Sequence, residues 1–424
     1  MNVQLVKIID FWLKSVEQSI VESRKIVSAI DLKSDAVVDL IGPRRSGKSS
    51  IMKLIIKNLK LKDDFLFINF EDPFFIENNS PEIIEELIET FIAYFNPNLR
   101  YLFFDEIQEI NYWERALRKL RDGANYKIFV TGSSSKLLSR EISTLLTGRH
   151  LTYEVFPLSF EEFLNFRKVK YAVKDLLVNE KKLQKQFTDY CAIGGFPEVV
   201  VSGKVELLKS YFFDLIQKDI VKRYEVREVE VLERMAYYLM SNSGKIHSVR
   251  SISKLYEVSS NVAAKYIEYL KEAFLFFELP QFSFSVKTQQ KSLKKIYACD
   301  VGMAEAVAFS FSKDFGRKLE NLVFLELNRR FENIFYYKTA HNLEVDFLVV
   351  SDRDEKNLIQ VCYDLEDDST CRREVKALVE AMKELKLNKG LILSSDQQGE
   401  IVTEQGVIKV VPVWAWLLGG ELMF

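Results

Sequence analysis

Residues 35–59 read DAVVDLIGPRRSGKSSIMKLIIKNL, and the reading of this stretch decides the fold. Val37 to Ile41 is mostly apolar, as expected of a strand covered on both faces. Ile51, Leu54, Ile55 and Leu59 then recur at helical spacing. Between strand and helix stands Gly42-x-x-x-x-Gly47-Lys48-Ser49, a P-loop pattern in the strand–loop–helix setting that gives it meaning. Glycines let successive backbone N–H groups turn inward, and the following helix N-terminus adds positive potential for phosphate. The candidate cradle is Gly42, Pro43, Arg44, Arg45, Ser46, Gly47, Lys48, Ser49 and Ser50. Lys48 would reach the β- and γ-phosphates, and the Ser49 hydroxyl would sit on Mg²⁺. The competing reading is a tight turn with a solvated lysine.

A second stretch weighs against that competitor. RYLFFDEIQEI (100–110) is an apolar strand, Tyr101 to Phe104, ending in Asp105 and Glu106. An aspartate at such a strand end holds Mg²⁺ in P-loop ATPases, and a neighbouring carboxylate can activate the attacking water. Single acids often end strands facing solvent; a pair behind four apolar residues, downstream of a P-loop, is less easily dismissed. In NYWERALRKLRDG (111–123), Trp113, Ala116, Leu117 and Leu120 form a core stripe that Gly123 is placed to end. YKIFVTGSSSKLL (126–138) gives another strand, after which Thr131 or Ser133 would sense the nucleotide or merely cap a helix. Arg149, just before the strand in LLTGRHLTYEVFPLSFEEF (145–163), would stabilise transition-state charge in cis or from a neighbouring subunit; a solvated arginine is the alternative. INFED (68–72) reads as the remaining strand, whose acids would help position Mg²⁺ or simply end it.

Together with GGFPEVV (194–200), these stretches resemble the AAA-type P-loop ATPases of prokaryotes, archaeal-like, that carry a C-terminal restriction-endonuclease-like domain. The similarity runs from about residue 20 to the end of the chain, and the TGR…PLSFEEF and GGFPE stretches are its most specific parts. The resemblance implies an α/β fold of the additional-strand type, a parallel five-stranded P-loop sheet with an extra strand between the P-loop strand and the acidic strand, and a nuclease-like α/β domain at the C-terminus; the residue patterns between them add a helical lid and a winged helix. Carried over residue by residue, it implies Gly42, Gly47, Lys48 and Ser49 on nucleotide, Asp105 and Glu106 serving magnesium and water, and Arg149 as the conspicuous arginine. With the residue readings above, the expected cofactors are ATP and Mg²⁺, with Ser49 and Asp105 on metal and Glu106, Ser133 and Arg149 as the catalytic set. ATP is preferred over GTP on this resemblance alone, since no guanine-reading NKxD motif stands out.

The expected domains are 1–156 (ATPase core with an N-terminal helix), 157–235 (helical lid), 236–304 (winged helix-turn-helix) and 305–424 (nuclease-like). Within the lid, Gly194-Gly195-Phe196-Pro197 reads as a flexible turn docking an aromatic. In GKIHSVRSISKLYEVSSNVAAKYIEYLKEAFLFFELP (244–280), a short helix, a turn and a longer amphipathic helix describe a helix-turn-helix. Two strands around a basic loop would follow, with Lys287, Lys291, Lys294 and Lys295 as candidate DNA contacts, salt-sensitive and sequence-blind. Glu268 and Glu272 argue the other way if they face phosphate, and winged helices also serve protein contacts.

From residue 314 the order helix, three strands, helix, strand resembles the restriction-endonuclease-like fold. In active members a first-helix carboxylate, a second-strand aspartate and a third-strand acid-x-Lys hold metal and activate water. Glu320 and Asp346 match the first two, but Gln360 and Cys362 stand where acid and lysine are needed. Glu344 shares a strand face with Asp346 without restoring a third-strand ligand. The expectation is a degenerate site kept for DNA shape recognition or for a protein partner.

Lys+Arg 59 against Asp+Glu 61 leaves no global field, so any nucleic-acid attraction must be local. Cys191, Cys299, Cys362 and Cys371 are scattered without a CxxC pair, which fits a reducing compartment and argues against a zinc site. With no signal-peptide pattern and no apolar run of about 18 residues, the expectation is a cytoplasmic protein without a membrane partner. VVPVWAWLLGG (410–420) is read as a buried end. The leading expectation is an ATPase that moves its appended domains on DNA, as an oligomer if Arg149 acts in trans. The rivals are an ATP-gated nuclease and a nucleotide-controlled protein-binding switch with no DNA role.

Overall fold

The computed structural model describes residues 3–123, 125–133, 150–172, 175, 179–308, 315–365 and 368–419. The chain forms two compact units, one of residues 1–156 with 272–274 and one of 157–271 with 275–424.

The first unit is built on a five-stranded sheet of β1 (Val37–Ile41), β2 (Phe65–Asn69), β3 (Tyr101–Asp105), β4 (Lys127–Gly132) and β5 (His150–Glu154). All its pairings are parallel, in the order β2-β3-β4-β1-β5, so β4 lies between the strand before the P-loop and the acid-bearing strand. All five residues of β1 are buried, including Asp39, whose carboxylate accepts from Thr152 Oγ1 and pairs with His150 Nδ1. Phe103 and Phe129 stack at 4.6 Å across neighbouring strands. The helix Lys48–Asn58 adds Ile51, Met52, Ile55 and Ile56 to the same core. The helix Trp113–Asp122 buries Trp113, Ala116 and Leu117 and ends at Gly123, leaving Leu120 half-buried. β2 stops at Asn69, so Glu71 and Asp72 lie beyond the strand.

The second unit begins with helices. A capping box closes the start of Phe160–Phe166: Ser159 Oγ accepts from Glu162 N while Glu162 accepts from Ser159 N. The Gly194–Pro197 turn, expected to be flexible, is tightly held. Gly195 packs so closely that a Cβ there would lie 2.4 Å from the Leu158 carbonyl oxygen, and its N–H donates to Asp300 at 2.7 Å. Phe196 is fully buried against Tyr211.

Further on, Val249–Leu255 and Ser260–Glu272 form the short and long helices read from sequence. They accompany a three-stranded antiparallel sheet of β6 (Ile246–His247), β7 (Phe276–Leu279) and β8 (Lys294–Ala298), ordered β6-β8-β7. The segment between β7 and β8 is not a plain loop, since Val286–Lys291 is helical.

The C-terminal sheet comprises β9 (Ile334–Lys338), β10 (Glu344–Val350), β11 (Lys356–Cys362), β12 (Lys389–Ser394), β13 (Gly399–Val402) and β14 (Val407–Pro412). Their order is β13-β14-β12-β11-β10-β9, with β11, β12 and β14 parallel and the other pairings antiparallel. One face packs Phe347, Val349 and Ile359 on the helices Phe315–Arg330 and Val413–Gly419. The other packs Leu348, Leu358 and Ile392 on the helix Asp368–Leu385. β13, β14 and the last helix extend the helix–three strands–helix–strand order, and Trp414 and Trp416 are buried in that last helix.

Candidate functional site

The parallel register sets Leu40 opposite Thr131 and Phe104 opposite Val130, so β1, β3 and β4 end at one level. That alignment brings the loop after β1 against the acids after β3. The loop backbone enters the left-handed region at Gly42 (φ +148°), Arg45 (φ +70°) and Gly47 (φ +101°). A Cβ on Gly42 would lie 2.3 Å from the Val155 carbonyl oxygen, so only glycine fits there. Lys48 is buried; its Nζ donates to the carbonyls of Gly42 (3.0 Å) and Pro43 (3.2 Å) and stands 3.7 Å from Glu106 Oε1. Ser46 Oγ is buried and has no hydrogen-bond partner among the described residues. A loop with a nested backbone, a lysine whose hydrogen bonds go to carbonyls and an unpaired buried hydroxyl fits a bound phosphate.

The acids are braced from several elements. Thr131 Oγ1 donates to Asp105 Oδ1 at 2.6 Å and accepts from Glu106 N at 2.9 Å. Asn69 Nδ2 donates to Asp105 Oδ2 at 2.8 Å. Burial first, then the Glu106 charge, pushes the Asp105 carboxyl up to about 6, against Thr131, the Ser49 hydroxyl and Lys48. Glu106 takes a left-handed backbone (φ +52°), and its side chain accepts from Gln108 Nε2 at 2.6 Å. Among the described residues no group of three His, Cys, Asp or Glu side chains could hold a metal. Magnesium asks for less from protein: one carboxylate and a hydroxyl, with water and phosphate oxygens completing the shell. Asp105 and Ser49 fit that donor set.

Of the other expected residues, Pro43 is buried, Arg45 and Ser50 are exposed, and Arg44 pairs with Glu71. Ser133 is buried immediately after β4, whereas Arg149 lies outside the described residues. Thr131, read as a nucleotide sensor alongside Ser133, has its hydroxyl committed to the acid pair. Sequence reading missed Asn69, Gln108 and Arg24. Arg24 is buried and donates to the carbonyls of Ser46 (2.9 Å) and Phe156 (2.8 Å), bracing the P-loop from a segment without any motif. Asn69 left a faint signal as the polar residue closing the apolar run of β2.

A second charged cluster lies in the C-terminal unit. Lys295 was expected among the DNA-contact lysines, but it sits on β8 with its side chain only 3% exposed. Its Nζ is 2.8 Å from Glu320 Oε1, 2.8 Å from Glu344 Oε1 and 3.1 Å from Asp346 Oδ1. Tyr297, two residues along the same strand, donates to Glu320 Oε1 at 2.6 Å. A register shift between Val345 and Leu348 marks a β-bulge that aims Asp346 at this cluster. Burial, and next Asp346, raises the Glu320 carboxyl to about 7, opposed by Lys295 and Tyr297. Burial alone would lower the Lys295 pKa, but Tyr297 and the three carboxylates hold it well above the usual lysine value.

Gln360 turns its Oε1 to Asp346 N (3.2 Å) and its Nε2 to Glu374 (2.6 Å). Cys362 is buried in the opposite core and donates to the Asp364 carbonyl. The donor set that a nuclease metal requires is therefore not free. Of the remaining lysines, Lys294 pairs with Glu278 at 2.8 Å, while Lys287 and Lys291 are exposed on the short helix. Lys271 pairs with Glu268, whose side chain stays half exposed on the longer helix, and Glu272 is buried.

Comparison with known proteins assigns the pieces. Residues 34–164 match an AAA domain, 184–314 a domain of unknown function (DUF8612) and 315–416 another (DUF4143). An uncharacterized protein of Methanocaldococcus jannaschii, MJ1544, is 39% identical over 408 residues, covering 92% of this chain and 90% of that protein. An uncharacterized protein of Haemophilus influenzae is 28% identical over 397 residues, 91% of this chain and 95% of its own. Among solved structures, the Aeropyrum pernix ORC1 protein in complex with DNA aligns over 72% of this chain and 91% of its own, at 11% identity and a TM-score of 0.29, too low to build on. No helix among the described residues is long and apolar enough to cross a membrane.

Proposed function

The chain belongs to the same family as the Methanocaldococcus jannaschii protein MJ1544, and on that premise we propose that its AAA-type domain binds ATP at the P-loop and hydrolyses it with Mg²⁺. The observation that carries this reading is the convergence of Lys48, Asp105 and Glu106 at the ends of β1 and β3. The backbone from Gly42 to Ser49 binds the phosphates, and Lys48 leaves its two carbonyl partners to pair with them. Ser49 and Asp105 would hold the metal, which supplies positive charge to the phosphate oxygens. Glu106, held in a fixed backbone geometry, accepts a proton from water, and Gln108 and Thr131 set its position. Ser133 and Arg149 remain the candidates for sensing and for transition-state charge.

Phosphate release from ATP tests the assignment. Wild-type protein should turn over in Mg²⁺ and stop in EDTA, while Glu106→Gln should bind ATP yet lose about 10²–10⁴ in rate, the usual worth of a general base. Normal turnover in Glu106→Gln would remove Glu106 from the role, and no turnover in wild type would remove the activity.

For a partner we infer DNA, met in the cytoplasm by the winged helix of residues 236–304, with a C-terminal domain that is nuclease-like but does not cleave. Supporting this are the two-helix and three-strand arrangement and the exposed Lys287 and Lys291. With Lys294 and Lys295 engaged by acids, the phosphate contacts reduce to two, a weak and salt-labile grip.

A further inference from the structure

The carboxylate cluster around Lys295 departs from the nuclease-like arrangement in a way that assigns it a different chemistry. The Lys295 ammonium donates hydrogen bonds to Glu320 Oε1 at 2.8 Å and Asp346 Oδ1 at 3.1 Å, and forms an ion pair with Glu344 Oε1 at 2.8 Å. These are hydrogen-bond distances, longer than the ~2.0–2.6 Å of magnesium or calcium ligation. Tyr297 donates to the same Glu320 oxygen, Oε1, and the Val361 N–H donates to the second Asp346 oxygen, Oδ2, at 3.0 Å. Gln360, the third-strand position, points its carbonyl oxygen at the Asp346 backbone.

We propose that the Lys295 ammonium is the resident cation of the Glu320–Glu344–Asp346 cluster, holding the oxygens that would otherwise ligate a divalent metal, so that this domain works without one. Nothing in this depends on the ATPase reading. The lysine comes from β8, outside the sheet that carries Asp346, and strand alternation puts Lys295 and Tyr297 on one face of β8 with both reaching Glu320. The cluster therefore ties β8 to the helix Phe315–Arg330 and to β10. It also makes cleavage and tethering alternatives: a metal can enter only where the ammonium leaves, because both need the same oxygens. Removing the lysine uncovers three carboxylates, a hard-oxygen set suited to Mn²⁺ or Mg²⁺.

Mn²⁺ titration of the nucleotide-free full chain tests this, followed by the electron paramagnetic resonance signal of free Mn²⁺ and by Tm. All proteins carry Asp105→Asn, so that the P-loop contributes no metal. The parent should show no saturable Mn²⁺ site and no Mn²⁺-dependent Tm. Lys295→Met should gain one site, at least about tenfold tighter than any parent binding, with a Tm that rises with Mn²⁺, and adding Asp346→Asn should abolish both. A saturable site in the parent that Asp346→Asn removes would overturn the proposal, as would a folded Lys295→Met protein that binds no Mn²⁺. Should Lys295→Met not fold in EDTA, refolding with Mn²⁺ counts for the proposal. Lys295→Met/Glu320→Gln, which carries one charge less, then takes its place in the titration: a gained Mn²⁺ site supports the proposal, and a folded protein without one overturns it.

Discussion

Lys48 and Lys295 are both buried lysines facing acids, yet their surroundings differ in kind. Lys48 rests on two neutral carbonyls and stands 3.7 Å from a single carboxylate that Gln108 already serves. Lys295 holds three carboxylates at 2.8–3.1 Å. The first ammonium is held by groups it can exchange for phosphate at little cost. The second is bound by charge in a place without solvent to replace it, and breaking such an arrangement from one side leaves uncompensated buried charge. A poised site and a sealed one are thus built from the same residue types. What separates them is the number of acids within reach.

That contrast gives its largest expected effect in stability. Lys295→Met should cost about 3–5 kcal/mol in the absence of divalent metal, read from the denaturant midpoint. Lys48→Met should cost less, about 1 kcal/mol, since the one carboxylate it leaves, Glu106, is 3.7 Å away and still accepts from Gln108. Equal losses at the two positions would erase the distinction. The next effect is in pH. The Asp105 carboxyl is raised to about 6 from 3.8 by burial and then by the Glu106 charge. A raised acid destabilises the folded state as pH climbs through the window between the two values, because the native form holds its proton longer. Binding of Mg·ATP requires the ionised acid, so affinity should rise up to tenfold per pH unit below about 6 and level off above it. Asp105→Asn should bind weakly with no such slope, and calorimetry across pH 5–8 checks both. The smallest effect separates the exposed lysines from the engaged ones. With two phosphate contacts, the slope of log K against log salt should be about −2, halved by Lys287→Ala and unchanged by Lys294→Ala.

The P-loop half of the molecule was largely legible because its chemistry is local in sequence. Nine consecutive residues, Gly42 to Ser50, carry the cradle, and Asp105–Glu106 close one apolar strand. The supports escaped notice for the opposite reason. Arg24 reaches Ser46 across 22 residues and Asn69 reaches Asp105 across 36, and a buried polar partner at that separation leaves no periodic trace. Lys295 misled for a further reason. In LKKIYA, two adjacent lysines look like a solvated pair, but strand alternation sends them to opposite faces, one to Glu278 and one into the cluster. The Gly194–Pro197 turn misled similarly, since glycine there answers a close approach to Leu158 rather than a need to flex.

Titration calorimetry of Mg·ATP into folded wild-type and Lys48→Ala protein tests the central claim most directly. Wild type should show saturable, one-site heat, weakened at least about 100-fold in the variant, as loss of charge-assisted phosphate contacts requires. Folded wild-type protein that takes up no nucleotide, or a variant that binds as tightly, would contradict the account.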